Sequence, residues 1–283
     1  MIPYPHINPD LISIGPIHVR WYGIMYLIGF FAAYLLIQKQ ERSKEIGLVG
    51  VVAQDLVFYL AVGLIVGARL GYVIFYQYAD YLAYLEHPLE IIATWHGGMS
   101  FHGGLLGATL AGWLFCRRRK LPFWVVADSA IVTVPIGLGF GRIGNFINGE
   151  LFGRPTNVPW AMIFPEGGPV PRHPSQLYEA LAEGLLLFIL LWRLRQRRFQ
   201  DGMMVVFFMF FYGLFRFFLE FFREPDPQIG FILTYFTMGQ VLCVSMIVLS
   251  ICLGMYLRRH PSQRIDTVEV VSHRRQKAKK SRR

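Results

Sequence analysis

The chain has 283 residues, of which 54% are hydrophobic and 16% charged, with a mean hydropathy of +0.41 and a formal net charge of +10. That is too oily and too poor in charge for an ordinary soluble domain, and it points to an integral membrane protein. Crossing the hydrocarbon takes about 20 apolar residues, and seven stretches qualify: Trp21 to Gln38, Val51 to Tyr76, Ser100 to Cys116, Phe123 to Gly139, Leu177 to Trp192, Met203 to Leu219 and Ile232 to Leu257. The expected fold is an all-α bundle of about seven transmembrane helices. Several spans are short, so tilts and partly re-entrant ends are expected.

Met1 to Arg20 lacks the basic-then-apolar order of a cleavable signal, and the first span is expected to be retained. Pro3, Pro5, Pro9 and Pro16 break regular helix there, while Ile7, Leu11, Ile12 and Ile14 suit the interface. Trp21 and Tyr22 follow where an aromatic belt belongs, so Tyr22 reads equally as an anchor or a site residue. The second span carries Gly63, Gly67 and Gly71, a small-residue stripe that admits a close neighbour; Arg69 beside it either snorkels or enters the interior. After a tyrosine-rich outer segment, Asp80 to Glu90, a His-Gly-Gly unit occurs twice in Trp95 to Gly104. His102 opens the third span, where an imidazole titrates near neutrality and suits a general base, or else a packed, hydrogen-bonded residue. No HExxH or Cys-His spacing accompanies these histidines, so no metal is expected, and Cys116, Cys243 and Cys252 read as packing residues.

Asp128 gives the fourth span a polar contact near its start. Gly141 to Gly153, GRIGNFINGELFG, then places Arg142, Asn145, Asn148 and Glu150 among glycines at the end of an apolar segment, where each polar group needs a partner or a task. It reads as the floor of a site for an anionic lipid. Residues 151 to 174 are polar and carry six prolines, as expected of an ordered outer head on which a protein substrate docks. RHPSQLYE, Arg172 to Glu179, starts the fifth span, whose Glu183 requires a partner. On the sixth span Tyr212, Arg216, Glu220 and Arg223 share one face, with Arg216 and Glu220 spaced to pair, and Pro225 and Pro227 end it.

Twenty-one of the 28 Lys and Arg lie in four blocks: three in Lys39 to Lys44, four in Arg117 to Lys120, four in Arg193 to Arg198 and ten in Arg258 to Arg283. Alternate loops carry them, which puts those loops and the C-terminus in the cytoplasm and the N-terminus outside. The last block, opposed only by Asp266 and Glu269, reads as a tail that touches anionic lipid rather than nucleic acid. The remaining seven cations are all arginines: Arg20, Arg69, Arg142, Arg154, Arg172, Arg216 and Arg223. A guanidinium fork suits a phosphate, so this set suggests an anionic headgroup, although some members can simply pair with glutamate.

GRIGNFINGELFG matches the signature of the prolipoprotein diacylglyceryl transferase family. WYGIMYL near Tyr22, HGGLLG from His102, RHPSQLYE from Arg172 and YGLFRFFLEFFREPD from Tyr212 also resemble that family's segments, in order, over about 200 residues. The resemblance implies transfer of the diacylglyceryl part of phosphatidylglycerol to the lipobox cysteine thiol of a prolipoprotein signal peptide, with release of glycerol phosphate. It also implies a bacterial inner (cytoplasmic) membrane, seven spans and a site facing the periplasm. The implied partners are phosphatidylglycerol, prolipoproteins and membrane lipids, with no cofactor, metal or nucleic acid. On this reading Arg142 and Arg216 clamp phosphate, Asn145 and Tyr22 bond to it, and Gly153 permits close backbone approach. His102 is the base; Glu150 either orients Arg142 or takes that role; Tyr212, Glu220 and Arg223 support Arg216. Residues 1 to 257 then form one transmembrane catalytic domain, with its head at about 151 to 174, and 258 to 283 a basic cytoplasmic tail. Two other classes compete: a lipid or solute transporter, for which no convincing internal repeat is visible, and an intramembrane serine protease, for which no G-x-S-x-G context exists.

Overall fold

The computed structural model describes residues 2–5, 7–15, 17–76, 84, 87–94, 97–197, 199–224, 231–232 and 236–260. His96, most of the tyrosine-rich segment before it, Pro225, Pro227 and the tail from 261 lie outside the described residues. A short antiparallel hairpin, β1 (Asp10–Ile14) and β2 (Ile17–Arg20), precedes α1 (Trp21–Gln38). Then come α2 (Glu41–Glu45), α3 (Val51–Tyr76), α4 (Phe101–Arg119), α5 (Phe123–Ile131) and α6 (Val134–Asn148). After the 151–174 segment, α7 (Ser175–Glu179) runs through a π-helical stretch, Ala180–Leu186, into α8 (Leu187–Leu194). The chain continues with α9 (Met203–Leu219), a minimal β3 (Phe231–Ile232) and β4 (Phe236–Thr237) pair, and α10 (Met238–Arg259).

Among the described residues, four helical stretches are long and apolar enough to cross a membrane: Trp21–Gln38, Val51–Tyr76, Phe123–Asn148 and Met238–Arg259. Large apolar side chains such as Leu27, Phe31, Phe58, Phe75 and Leu106 point outward, whereas Gln176, Glu179, Glu183 and Gln240 are buried. This inversion of the soluble pattern is what a lipid solvent selects, and the protein is a helical membrane protein. The expected seventh stretch starts at Met238 rather than Ile232, because Thr237 and Gln240 form a reciprocal capping box there.

The chain forms two compact units, residues 37–127 and residues 1–36 with 128–283. In the first, α3 and α4 cross along the glycine stripe: a Cβ on Gly67 would come within 2.4 Å of the Gly103 carbonyl oxygen, and one on Gly107 within 2.1 Å of that of Gly63. The glycines that follow His102 therefore serve this crossing. Arg69 does not snorkel and meets no carboxylate among the described residues; its guanidinium donates to the carbonyls of Glu90, Ile91, Gly97 and Gly98 and ties that segment to α3.

In the other unit, buried Asp128 accepts from the backbone N–H of Gly202 (2.8 Å), Met204 (3.0 Å) and Val205 (3.2 Å), capping α9. The N-terminal segment does not merely rest at an interface. Tyr4 is buried with Phe146, Met162 and Phe164, and its hydroxyl lies 2.7 Å from the Phe146 oxygen at the end of α6. Residues 151–174 form an ordered head held by backbone bridges from Pro155 and Met162 to Arg172, and from Gly153 to Arg223.

Candidate functional site: a buried guanidinium cluster

The site is built where α6, the 175–194 helix and α9 meet within one unit. α6 is glycine-lined on two sides: Tyr22 packs over Gly144, whose Cβ would meet its ring at 2.9 Å, and Gly139 and Gly184 lie almost backbone to backbone, a Cβ on Gly184 reaching Gly139 Cα at 2.7 Å. This closeness lets Arg142 reach the next helix. Its Nε lies 2.7 Å from Glu179 Oε2 and its Nη2 3.8 Å from Glu183 Oε2. From α9, Arg216 Nη1 lies 2.8 Å from Glu179 Oε1 and 3.5 Å from Glu183 Oε1, while its Nη2 meets Glu220 Oε2 at 2.9 Å. Arg223 Nη1 comes to 3.6 Å from Glu179 Oε1. One carboxylate thus gathers three guanidinium groups that are far apart in sequence.

Glu179 and Glu183, four residues apart, share one face of this helix and so address the same arginines, and the turn that carries Glu183 is π-helical, Ala180–Leu186. Such irregularities concentrate at functional positions. Glu220 is held from its other side, its Oε1 accepting from Thr237 Oγ1 at 3.0 Å, over the first turn of α10, where Gly239 leaves room for it. A carboxylate is favoured at that helix start. Glu179, Glu183 and Glu220 balance Arg142, Arg216 and Arg223 in formal charge, so an arriving anion must compete for the guanidinium donors. The cluster is not sealed: the Arg142 side chain keeps 19% exposure, and its Nη1 has no protein partner among the described residues.

Several expectations are met. Arg142 and Arg216 share one surrounding, Arg216 pairs with Glu220, and Glu183 has its partners. Others are corrected. Glu150 does not orient Arg142: Glu179 and Glu183 do, and Glu150 Oε1 instead accepts from Asn145 Nδ2 (2.8 Å) and Asn148 Nδ2 (3.2 Å). At Gly153 the close approach is by the protein itself, since a Cβ there would lie 2.4 Å from the Phe222 oxygen. Its N–H donates to the His173 carbonyl at 2.9 Å. The all-arginine set also divides. Arg154 donates to the Arg223 carbonyl at 2.8 Å, Arg172 pairs with Glu224, and Arg20 lies 3.7 Å from Asp10, leaving three arginines in the cluster. The Tyr22 hydroxyl lies 3.2 Å from that of Tyr26, and Tyr212 is on the same helix as Arg216. His102 belongs to the other unit, exposed in the first turn of α4 with its ring edge-on to Phe101.

Glu179 and Gln176 were missed as site residues. Gln176 is fully buried, its Nε2 donating to the Glu150 carbonyl at 2.6 Å. The signal was present: Gln176, Glu179 and Glu183 recur at spacings of three and four on an apolar helix, the mark of one polar, inward face.

The fold and the cluster define a polytopic helical membrane protein that keeps three arginines and three glutamates together among its helices. A sequence model of the family described as prolipoprotein diacylglyceryl transferase matches residues 9–256. Proteins named phosphatidylglycerol–prolipoprotein diacylglyceryl transferase are similar over nearly the whole chain. That of Desulfotalea psychrophila is 50% identical over 266 residues (92% of this chain, 96% of the relative), and that of Geobacter sulfurreducens 49% over 256 residues (90% and 97%). That of Coxiella burnetii is 49% identical over 254 residues (88% and 95%). The chain belongs to the prolipoprotein diacylglyceryl transferase family.

Proposed function

We propose that this protein moves the diacylglyceryl group of phosphatidylglycerol onto the lipobox cysteine of prolipoproteins. The observation that carries the reading, beside family membership, is the convergence of Arg142, Arg216 and Arg223 on Glu179. The cysteine thiol, with an ordinary pKa of about 8.5, must first give up its proton to a base. The thiolate then attacks the glycerol carbon bonded to the phosphate oxygen. A carbon–sulfur bond forms, the carbon–oxygen bond breaks, and glycerol phosphate leaves with the electron pair and an added negative charge. Arg142 and Arg216 hold that phosphate, with Tyr22 and Asn145 as hydrogen-bond partners, because fixed cations stabilise charge that grows in the transition state. Gly153 acts by holding the head against Arg223. The base is His102 or Glu150. Tyr212, Glu220 and Arg223 keep Arg216 in place.

The proposed setting is the bacterial inner membrane, with seven spans, the N-terminus and head outside, and the basic tail in the cytoplasm. Alternation of the basic blocks supports this orientation. Incubating purified protein with phosphatidylglycerol and a synthetic lipobox peptide, followed by mass analysis, tests the whole reading. A diacylglyceryl thioether is expected. Recovery of only cut peptide, or of unchanged lipid moved between vesicles, would replace it with a protease or a transporter.

A further inference from the structure

Outside the arginine cluster, the head carries a second chain of polar side chains that the proposed chemistry does not use. Trp160 Nε1 donates to the Tyr178 hydroxyl at 2.6 Å, and that hydroxyl lies 3.1 Å from His173 Nδ1. An indole nitrogen has only a hydrogen to give, so the phenol oxygen accepts from Trp160 and its own proton is left for His173. We assign the ring on that basis, with Nδ1 as the acceptor and the proton on Nε2. Burial pushes the His173 imidazole below its ordinary pKa, so the ring is neutral near pH 7.

The ring is also fixed in place. It packs edge-on against Phe222 with centroids 5.3 Å apart, and its backbone is bonded on both sides, to Gly153 and Arg154. Nε2 has no hydrogen-bond partner among the described residues and is not fully enclosed by them. Phe222, against the ring, is 42% exposed, and Trp160, at the far end of the chain of contacts, 50%. A neutral donor is a poor match for a phosphate already served by guanidinium groups. Next to the partly exposed Phe222, it suits the carbonyl oxygen of an extended, apolar peptide.

We propose that His173, held as the Nε2–H tautomer by Trp160 and Tyr178, donates to a backbone carbonyl of the peptide substrate and docks the segment that bears the reactive cysteine. This rests on the transferase reading above. The test uses full-length protein in phosphatidylglycerol vesicles, with initial rates measured against both peptide and lipid concentration. Loss of one such hydrogen bond is worth about tenfold. His173→Phe should therefore raise the peptide KM by about tenfold while leaving kcat and the lipid KM within about twofold. His173→Gln, which can present an N–H near the Nε2 position, should recover most of that loss. Should His173→Phe fail to accumulate, Tyr178→Phe decides, because it frees the tautomer without touching His173: the peptide KM should rise and the imidazole 15N shifts should show Nδ1 gaining hydrogen. An unchanged peptide KM, a change confined to the lipid KM, or a wild-type ring already protonated at Nδ1 would overturn the proposal. Failure of the wild-type protein to form any thioether would instead overturn the transferase reading.

Discussion

Glu179→Gln is the sharpest perturbation of the cluster, because it keeps the shape of the side chain and removes one charge. The Glu179 side chain is 1% exposed and lies 2.7 Å from Arg142 Nε, 2.8 Å from Arg216 Nη1 and 3.6 Å from Arg223 Nη1. At an effective dielectric constant of about 20, a pair of unit charges about 4 Å apart interacts by about 4 kcal/mol. Breaking a buried ion pair by removing one partner costs on the order of 3–5 kcal/mol. A glutamine oxygen can still accept from one guanidinium, but its N–H₂ group then faces the other, so one of the two short contacts turns repulsive. The arginines should separate. We expect kcat/KM for phosphatidylglycerol to fall by about 100-fold, and thermal unfolding in detergent to drop by on the order of 10 °C. The assay is the thioether measurement at varied lipid concentration, with Glu183→Gln as the comparison. Its shortest guanidinium contacts are 3.5 and 3.8 Å, so its loss of lipid affinity should be the smaller. A Glu179→Gln protein that melts normally and has an equal or lower lipid KM would refute the reasoning. Glu179 would then only compete with phosphate rather than assemble its donors.

Arg142→Ala should abolish transfer while leaving membrane insertion intact; near-normal thioether formation would remove Arg142 from the mechanism. His102→Gln and Glu150→Gln, compared by single turnover, should separate the base from the packing residue. The base variant should lose rate by at least about 100-fold while still binding lipid, whereas the other should change stability first. Gly107→Val drives a side chain into a carbonyl 2.1 Å from the Cβ position and should prevent the α3–α4 crossing, read as loss of folded protein in detergent. His173 should titrate below its ordinary value, because burial disfavours the imidazolium, so the relay to Tyr178 persists as pH falls through about 6.5. In Tyr178→Phe the neutral ring loses its hydrogen-bond donor, and the midpoint of an NMR titration should rise; an unchanged midpoint would break that link.

Much of the helix pattern was legible because lipid selects long apolar runs. Trp21–Gln38, Val51–Tyr76 and Met203–Leu219 have the bounds read from the sequence. Two starts moved to a cap: Ser100 accepts from the Gly103 N–H at 3.2 Å and starts α4 at Phe101, and Thr237 starts α10, whereas the start at Ser175 and the break before Val134 have no side-chain cap. The hairpin at 10–20 was not legible, since Pro9 before it and Pro16 within it argue against helix without arguing for strand. Nor was the π-helical stretch, whose composition, ALAEGLL, is that of an ordinary helix.

The site was half legible for a related reason. Residue type announces that Arg142, Glu183 and Arg216 cannot face lipid, but not which cation meets which carboxylate, because that depends on how closely backbones approach. Glu150 lay eight residues from Arg142 and was the natural partner by proximity in sequence. Glu179 holds that place because Gly139 and Gly184 let their helices nearly touch, carrying the Glu179 carboxylate to the arginine while Glu150 turns to Asn145 and Asn148. The glycines of this chain thus do two kinds of work that composition alone cannot distinguish. Those after His102 bring α3 and α4 together within their own unit, whereas Gly139 and Gly184 set the reach of Arg142. A bulky residue at Gly184 should therefore loosen the Arg142–Glu179 contact and weaken lipid binding even though it touches neither charge.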